Sequence, residues 1–144
     1  MHVSQILSTK GTDVHSIAPA ATVAELAAEL NSRRVGALIV KDSSGAVVGI
    51  VSERDVVRGL ASDASVVNAA VESIMTKDVV SIDPDFEVAD LTRLMTEKRI
   101  RHVPVIDNGG VLVGLVSIGD VVKVRMDELE TERAALMEYI TQGG

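Results

Sequence analysis

Cysteine and tryptophan are absent from this chain, and Phe86 and Tyr139 are its only aromatic residues. Without a thiol there is no disulfide, no thiolate metal site and no cysteine nucleophile, which fits a reducing compartment. With so few rings, the 47% hydrophobic content comes almost wholly from Val, Leu, Ile, Ala and Met. A planar ligand would then be gripped by branched aliphatic side chains rather than stacked on a ring. Positive charge is also scarce: 14 Lys and Arg stand against 21 Asp and Glu, for a net charge of −7. That balance argues against a nucleic-acid or anionic-membrane partner, since both need a clustered basic face. An anionic ligand would have to find a local basic patch. Apolar runs such as Ala37-Leu38-Ile39-Val40 are far too short to span a bilayer. The opening Met1-His2-Val3-Ser4-Gln5 has neither a charged region before an apolar stretch nor a cleavage site, so a soluble cytoplasmic protein is expected.

What is present is a duplication. Sliding the chain on itself by 65 residues aligns 13–58 with 78–123 without a gap, and 19 of the 46 aligned positions are identical. Chance would give about one in fifteen, so the internal repeat governs the architecture. Ahead of that block, Val3-Ser4-Gln5-Ile6-Leu7-Ser8 pairs with Val71-Glu72-Ser73-Ile74-Met75-Thr76 after a further three-residue shift, which marks a small insertion near Lys10-Gly11-Thr12. The repeat divides the chain into 1–66 as first copy with linker, 67–126 as second copy, and 127–144 as a C-terminal helix and tail.

Local patterns agree between the copies. Thr22-Val23-Ala24-Glu25 is a capping box with Pro19 just upstream, so a helix starts there. Val23, Leu26, Ala27 and Leu30 form its apolar stripe, and Val88, Leu91 and Met95 repeat most of it. Two Val/Ile-rich runs follow in each copy, joined by Asp42-Ser43-Ser44-Gly45 and by Asp107-Asn108-Gly109-Gly110, which reads as a β-hairpin. A second helix begins at once, capped by Ser52 with Asp55 and by Ser117 with Asp120. Segments 14–17 and 79–82 read as strands. The fold class is therefore α+β, two β-α-β-β-α units related by a pseudo-twofold axis, each burying what neither buries alone. Beyond Met126 a helix-prone segment carries Leu129, Leu136, Met137 and Ile140 as an apolar stripe, which suits docking on its own domain or dimerisation.

Gly49-Ile50-Val51-Ser52-Glu53-Arg54-Asp55 and Gly114-Leu115-Val116-Ser117-Ile118-Gly119-Asp120 both resemble the nucleotide-binding signature of CBS (cystathionine beta-synthase) domains: Gly, two hydrophobics, Ser or Thr, two free positions, Asp. Val103-Pro104-Val105 resembles the family's hydrophobic-Pro-Val strand start, and Ser16-Ile17 and Ser81-Ile82 match its preceding strands. On local pattern alone, Ser and Asp at this spacing are helix caps; the paired signatures and the resemblance add a ligand, and the two uses are compatible. The resemblance implies a tandem CBS repeat whose cleft binds an adenosine nucleotide, AMP, ATP, ADP or NAD, with no catalysis and no metal required for the fold. It places ribose on Asp55 and Asp120, phosphate beside Ser52 and Ser117, and adenine among Ile17, Leu38, Ile82 and Val103. It also implies a homodimer, while the regulated target stays unknown. The alternative is an interaction scaffold with vestigial clefts, dimerising through its CBS faces and C-terminal helix.

The two sites are not expected to be equivalent. Lys98-Arg99-Ile100-Arg101-His102 concentrates positive charge where the first copy has Arg33-Arg34-Val35-Gly36-Ala37, and Arg54 corresponds to Gly119. A basic run is usually a solvated face, but in an acidic protein these residues, with Arg54, Arg101 and His102 among them, are the best candidates for phosphate neutralisation. Gly36 and Ala37 leave room for a bulkier ligand where Arg101 and His102 fill it. An enzyme reading finds no support: His2, His15 and His102 lack metal-ligand spacing, and neither a nucleophile motif nor a Gly-rich phosphate loop is present.

Overall fold

The computed structural model describes residues 1–143. In chain order the elements are α1 (Val3–Lys10), β1 (Ser16–Ile17), α2 (Val23–Arg33), β2 (Ala37–Lys41), β3 (Val47–Ser52), α3 (Glu53–Ser62), two 3₁₀ turns (Ala64–Asn68 and Val71–Ser73), α4 (Val88–Lys98), β4 (His102–Ile106), β5 (Leu112–Ser117) and α5 (Ile118–Gly143). β1 runs parallel to β2, and β2 is antiparallel to β3; β4 and β5 form the second hairpin. Each hairpin carries a register shift at its end, between Val40 and Lys41 and between Val105 and Ile106. Each turn is closed by one carboxylate: Asp42 accepts the N–H of Ser44 and Ala46, and Asp107 that of Gly109 and Val111. Gly45 and Gly110 take the left-handed φ of 84° and 79° that such turns need.

The expected strand ahead of the first helix is only two residues long. In the second copy it shrinks to a single bridge between Ile82 and Val105. There the Val79 N–H folds back to the Lys77 carbonyl, so pairing begins only at Ile82. The capping box at Thr22 forms, with the Glu25 N–H donating to the Thr22 hydroxyl at 3.1 Å. Between the copies, α3 runs to Ser62 and Ala64–Asn68 forms a short 3₁₀ turn. The second helix of the second copy and the C-terminal helix are one continuous α5, so no break falls at 126.

Packing does not follow the order of the repeats. One compact unit is Asp13–Val80; the other joins Met1–Thr12 to the chain from Ser81 onward. The leading segment of each copy thus belongs to the unit built on the other copy. Three backbone hydrogen bonds tie each segment in place. The Val3 N–H donates to Phe86 O, the Ser4 N–H to Pro84 O and the Val88 N–H to Met1 O, all at 2.9 Å. In the other unit the equivalent donors are Val71 to Ala21 O, Glu72 to Pro19 O and Val23 to Ala69 O, at 2.7, 3.1 and 3.0 Å. Val3, Ile6 and Leu7 then fill a core with Leu91, Val103 and Val116, while Val71, Ile74 and Met75 pack with Leu26, Leu38 and Val51.

The signature glycines make room for these segments. A Cβ on Gly49 would lie 2.7 Å from Met75 Sδ and 2.8 Å from the Thr76 carbonyl oxygen; one on Gly114 would lie 2.5 Å from Leu7 Cδ2. Both substitutions to Ala are predicted to destabilise by about 1–3 kcal/mol through overpacking. Gly49→Ala should cost more, because Thr76 O is backbone and pairs with the Ile50 N–H, whereas the tip of Leu7 can rotate. Urea unfolding curves decide this: equal or negligible losses would show that the approach is loose.

Candidate functional site

Each hairpin ends directly in a helix, and the residue at the junction is the signature serine. In the unit of residues 13–80, Ser52 closes β3 and caps α3. Its hydroxyl accepts the Asp55 N–H at 3.4 Å, and Asp55 Oδ2 accepts the Ser52 N–H at 2.9 Å and lies 3.2 Å from the Ser52 hydroxyl. The Glu53 N–H, first in the helix, donates to Gly36 O at 3.0 Å. The other unit repeats the arrangement. Ser117 Oγ accepts the Asp120 N–H at 3.2 Å, Asp120 Oδ2 accepts the Ser117 N–H at 2.8 Å and its hydroxyl at 3.0 Å, and the Ile118 N–H reaches Arg101 O at 2.8 Å. Two of the backbone N–H groups at each helix start are therefore already engaged, one by the carbonyl of the residue before the strand, Gly36 or Arg101, and one by the serine hydroxyl. What each site offers a ligand is a fixed carboxylate with its second oxygen, Oδ1, outside the cap.

The carboxylates differ in their cations. Asp55 is buried at 8% exposure, and its Oδ1 lies 3.5 Å from Arg58 on its own helix. Asp120 is paired with Lys10 from the end of α1, whose ammonium lies 2.6 Å from Oδ2 and donates to Leu115 O at 2.7 Å. Burial alone would push the Asp120 carboxyl up. The hydrogen bond and charge of Lys10, with the Ser117 N–H and hydroxyl, outweigh it and hold the group below the usual carboxylate range. Lys10 is not among the residues expected at the site. Its signal in the sequence is the insertion at Lys10-Gly11-Thr12, which lengthens the first leading segment by three residues, so that Lys10 has no counterpart in the second.

The remaining expected residues are placed as follows. Ser16 is exposed and Ile17 half-buried on β1, in register with Ile39 and Val40 of β2. Leu38 and Val103 have no exposed surface, and Ile82 is 6% exposed. Three of the four side chains expected around adenine are thus buried in this structure: Leu38 and Val103 in the buried runs of β2 and β4, and Ile82 where it bridges to Val105. Ser81 is exposed, and the buried Pro104 accepts the Ile82 N–H through its carbonyl. Arg54 and Arg101 are exposed, and His102 is half-buried opposite Ser117. An open pocket of about 490 Å³ meets Gly36 and Glu53 at the start of α3, together with Arg34, Val35 and Val56. Another, of about 720 Å³, runs between α1 and α5 and takes in Lys10, Asp120 and Lys123. Among the described residues, no group of three His, Cys, Asp or Glu is placed to hold a metal ion, and no helix is long and apolar enough to cross a membrane.

The family profile of the CBS domain matches residues 3–62 and 71–127. An uncharacterized protein of Acidianus ambivalens is 41% identical over 125 residues, 87% of this chain and 73% of that one. The chain spans 58% and 61% of the lengths of two further curated relatives it matches. The crystal structure of a CBS-domain containing protein from Agrobacterium tumefaciens superposes with a TM-score of 0.84 at 41% identity, covering 86% of this chain and 92% of that one. The CBS domain pair of protein MJ0100, in complex with 5′-methylthioadenosine and S-adenosyl-L-methionine, superposes with a TM-score of 0.78 at 25% identity, covering 89% and 98%.

The Asp120 geometry sets a pH dependence. A carboxyl whose folded pKa is depressed contributes stability above its unfolded value, about 3.9, and loses that contribution as pH falls through the folded pKa. The stability difference between the parent protein and Asp120→Asn is therefore predicted to be constant from pH 7 to about pH 4 and to shrink below it. Urea titrations across pH 2.5–7 measure it; a difference independent of pH would mean that Lys10 does not stabilise the ionised form.

Proposed function

The chain belongs to the CBS domain family as a tandem pair, and we propose that it is a non-catalytic regulatory module that binds adenosine nucleotides, AMP, ATP, ADP or NAD, at its two Ser-x-x-Asp helix starts. The observation that carries this reading is that the cap at each site holds the carboxylate through Oδ2, with Oδ1 outside the cap and, at Asp55, 3.5 Å from the exposed Arg58. In this reading Oδ1 accepts the ribose hydroxyls. Such a contact is charge-assisted and worth on the order of 1.5–3 kcal/mol. The MJ0100 pair with its two adenosine compounds supports the ligand class. Ser52 and Ser117 stand next to the phosphate in this reading, and Arg54, Arg101 and His102 supply its counter-charge. The module acts as a cytoplasmic homodimer.

A second reading is favoured by Lys10, which pairs with Oδ2 of Asp120 and offsets the charge of that carboxylate. If that pairing is permanent, the second site is vestigial and the chain serves as an interaction scaffold. Ligand titration separates the two. At 100 times its dissociation constant an adenosine ligand should stabilise the fold by about 2.7 kcal/mol, seen as a rise in Tm. Asp55→Asn and Asp120→Asn keep the cap but lose the charge, and each should weaken binding at its own site by about ten- to a hundredfold in calorimetry. Unchanged melting in millimolar AMP, ATP, ADP and NAD, or full-strength binding by both variants, would leave the signatures as helix caps only.

A further inference from the structure

The first turns of α5 are anchored in the core of their own unit by Val121 and Val124, but from Leu129 to Gly143 every residue is exposed. The helix therefore leaves its domain for about four turns, where a lone helix is marginal in water. Along it, Val122, Met126, Leu129, Leu136 and Ile140 are between 47% and 63% exposed. Single exposed apolar residues need no explanation, but a continuous stripe marks a surface that is covered in use.

The spacing of these residues alternates between four and three. With Val122, Leu129 and Leu136 at d and Met126, Arg133 and Ile140 at a, five of the six seam positions are apolar, on the side of α5 away from Val121 and Val124. That is a heptad seam, which fits a second helix of the same kind. The flanking charges choose its direction. Arg125 falls at g and Glu130 at the following e, so two parallel helices in register bring Arg125 of each copy to Glu130 of the other. An antiparallel pairing over the same stripe would instead crowd the Glu130 and Glu132 of both copies at its midpoint. Arg133, the one polar seam residue, lies next to Glu132 and fixes the register at some cost in affinity, as a polar a position does.

We propose that α5 pairs with α5 of a second copy as a short parallel coiled coil, which makes the distal helix the dimer contact. This rests on the homodimer in the reading above and adds its location and direction. Sedimentation equilibrium should give twice the 15.2 kDa chain mass for the parent protein. Leu129→Glu combined with Leu136→Glu, both at exposed positions, should give monomer with unchanged thermal unfolding below the concentration of dimer formation. Arg125→Glu should weaken the dimer by about tenfold, and adding Glu130→Arg should restore it. The chain has no cysteine of its own, so Leu136→Cys under oxidation should cross-link two copies, as only parallel in-register helices place the two 136 positions together. A monomeric parent protein would overturn both this proposal and the homodimer. A dimer that survives the double Glu variant would overturn the coiled coil alone, leaving a dimer built on other faces. Failure of the charge exchange to rescue, or of the Leu136→Cys variant to cross-link, would overturn the parallel arrangement. Calorimetry with AMP on the double Glu variant keeps nucleotide binding a separate question.

Discussion

Everything in this fold depends on three backbone hydrogen bonds made twice. In each unit they fasten a short leading segment to the turn before the first long helix, and that segment supplies the apolar side chains that complete the core. A half of this length cannot exclude enough water by itself. Each copy therefore closes its core with the leading segment of the other copy, and the connectivity makes the two copies one folding problem although each core is separate. In two of the three the acceptors are carbonyls just before the helix start, at Pro19 and Ala21 in one unit and at Pro84 and Phe86 in the other; in the third the N–H of Val23 or Val88 donates to Ala69 O or Met1 O ahead of the leading segment's apolar residues. Donors and acceptors that would otherwise be buried without partners satisfy each other there.

The same constraint explains the signature. Its glycine is the clearance for the leading segment, its two hydrophobics are strand residues of the hairpin, and its Ser and Asp form a reciprocal cap where strand becomes helix. These three features of the signature are thus also what the fold needs at that point, which is why the pattern alone reads as structure. What goes beyond structural need is the second carboxylate oxygen at each site and the unequal cations near it. Arg58 lies on the same helix as Asp55, whereas Lys10 reaches Asp120 from α1. The exchange of leading segments therefore brings a charge to one site that has no equivalent at the other. The asymmetry expected at Arg101 and His102 is joined by a second one that comes from topology.

The features legible in the sequence are those that act over a few residues. The capping pairs Thr22/Glu25, Ser52/Asp55 and Ser117/Asp120, and the Asp-to-Gly turns, are written within three or four positions, and their geometry follows from side-chain reach. The repeat states each of these patterns twice, and it exposes the fold class. The exchange is not legible, because a leading segment that fits either core has the same apolar spacing whichever it joins. Only the insertion Lys10-Gly11-Thr12, in which Gly11 has a φ of 99°, distinguishes the two copies there. The strands are shorter than expected because apolar alternation at 79–82 does not reveal the tight turn at Lys77. That Leu38 and Val103 are fully buried is not legible either, because an apolar run does not say whether one face is covered or both. The continuity of α5 across Met126 is hidden because the repeat boundary suggests a break that helix propensity does not.

The central claim is that the capped carboxylates hold a ribose. A crystal structure of the protein grown with saturating AMP tests it most directly. The account predicts ordered nucleotide with a ribose hydroxyl hydrogen-bonded to Oδ1 of Asp55 or Asp120 while the serine cap stays closed on Oδ2. Nucleotide ordered away from both aspartates, or no nucleotide at all, would contradict it.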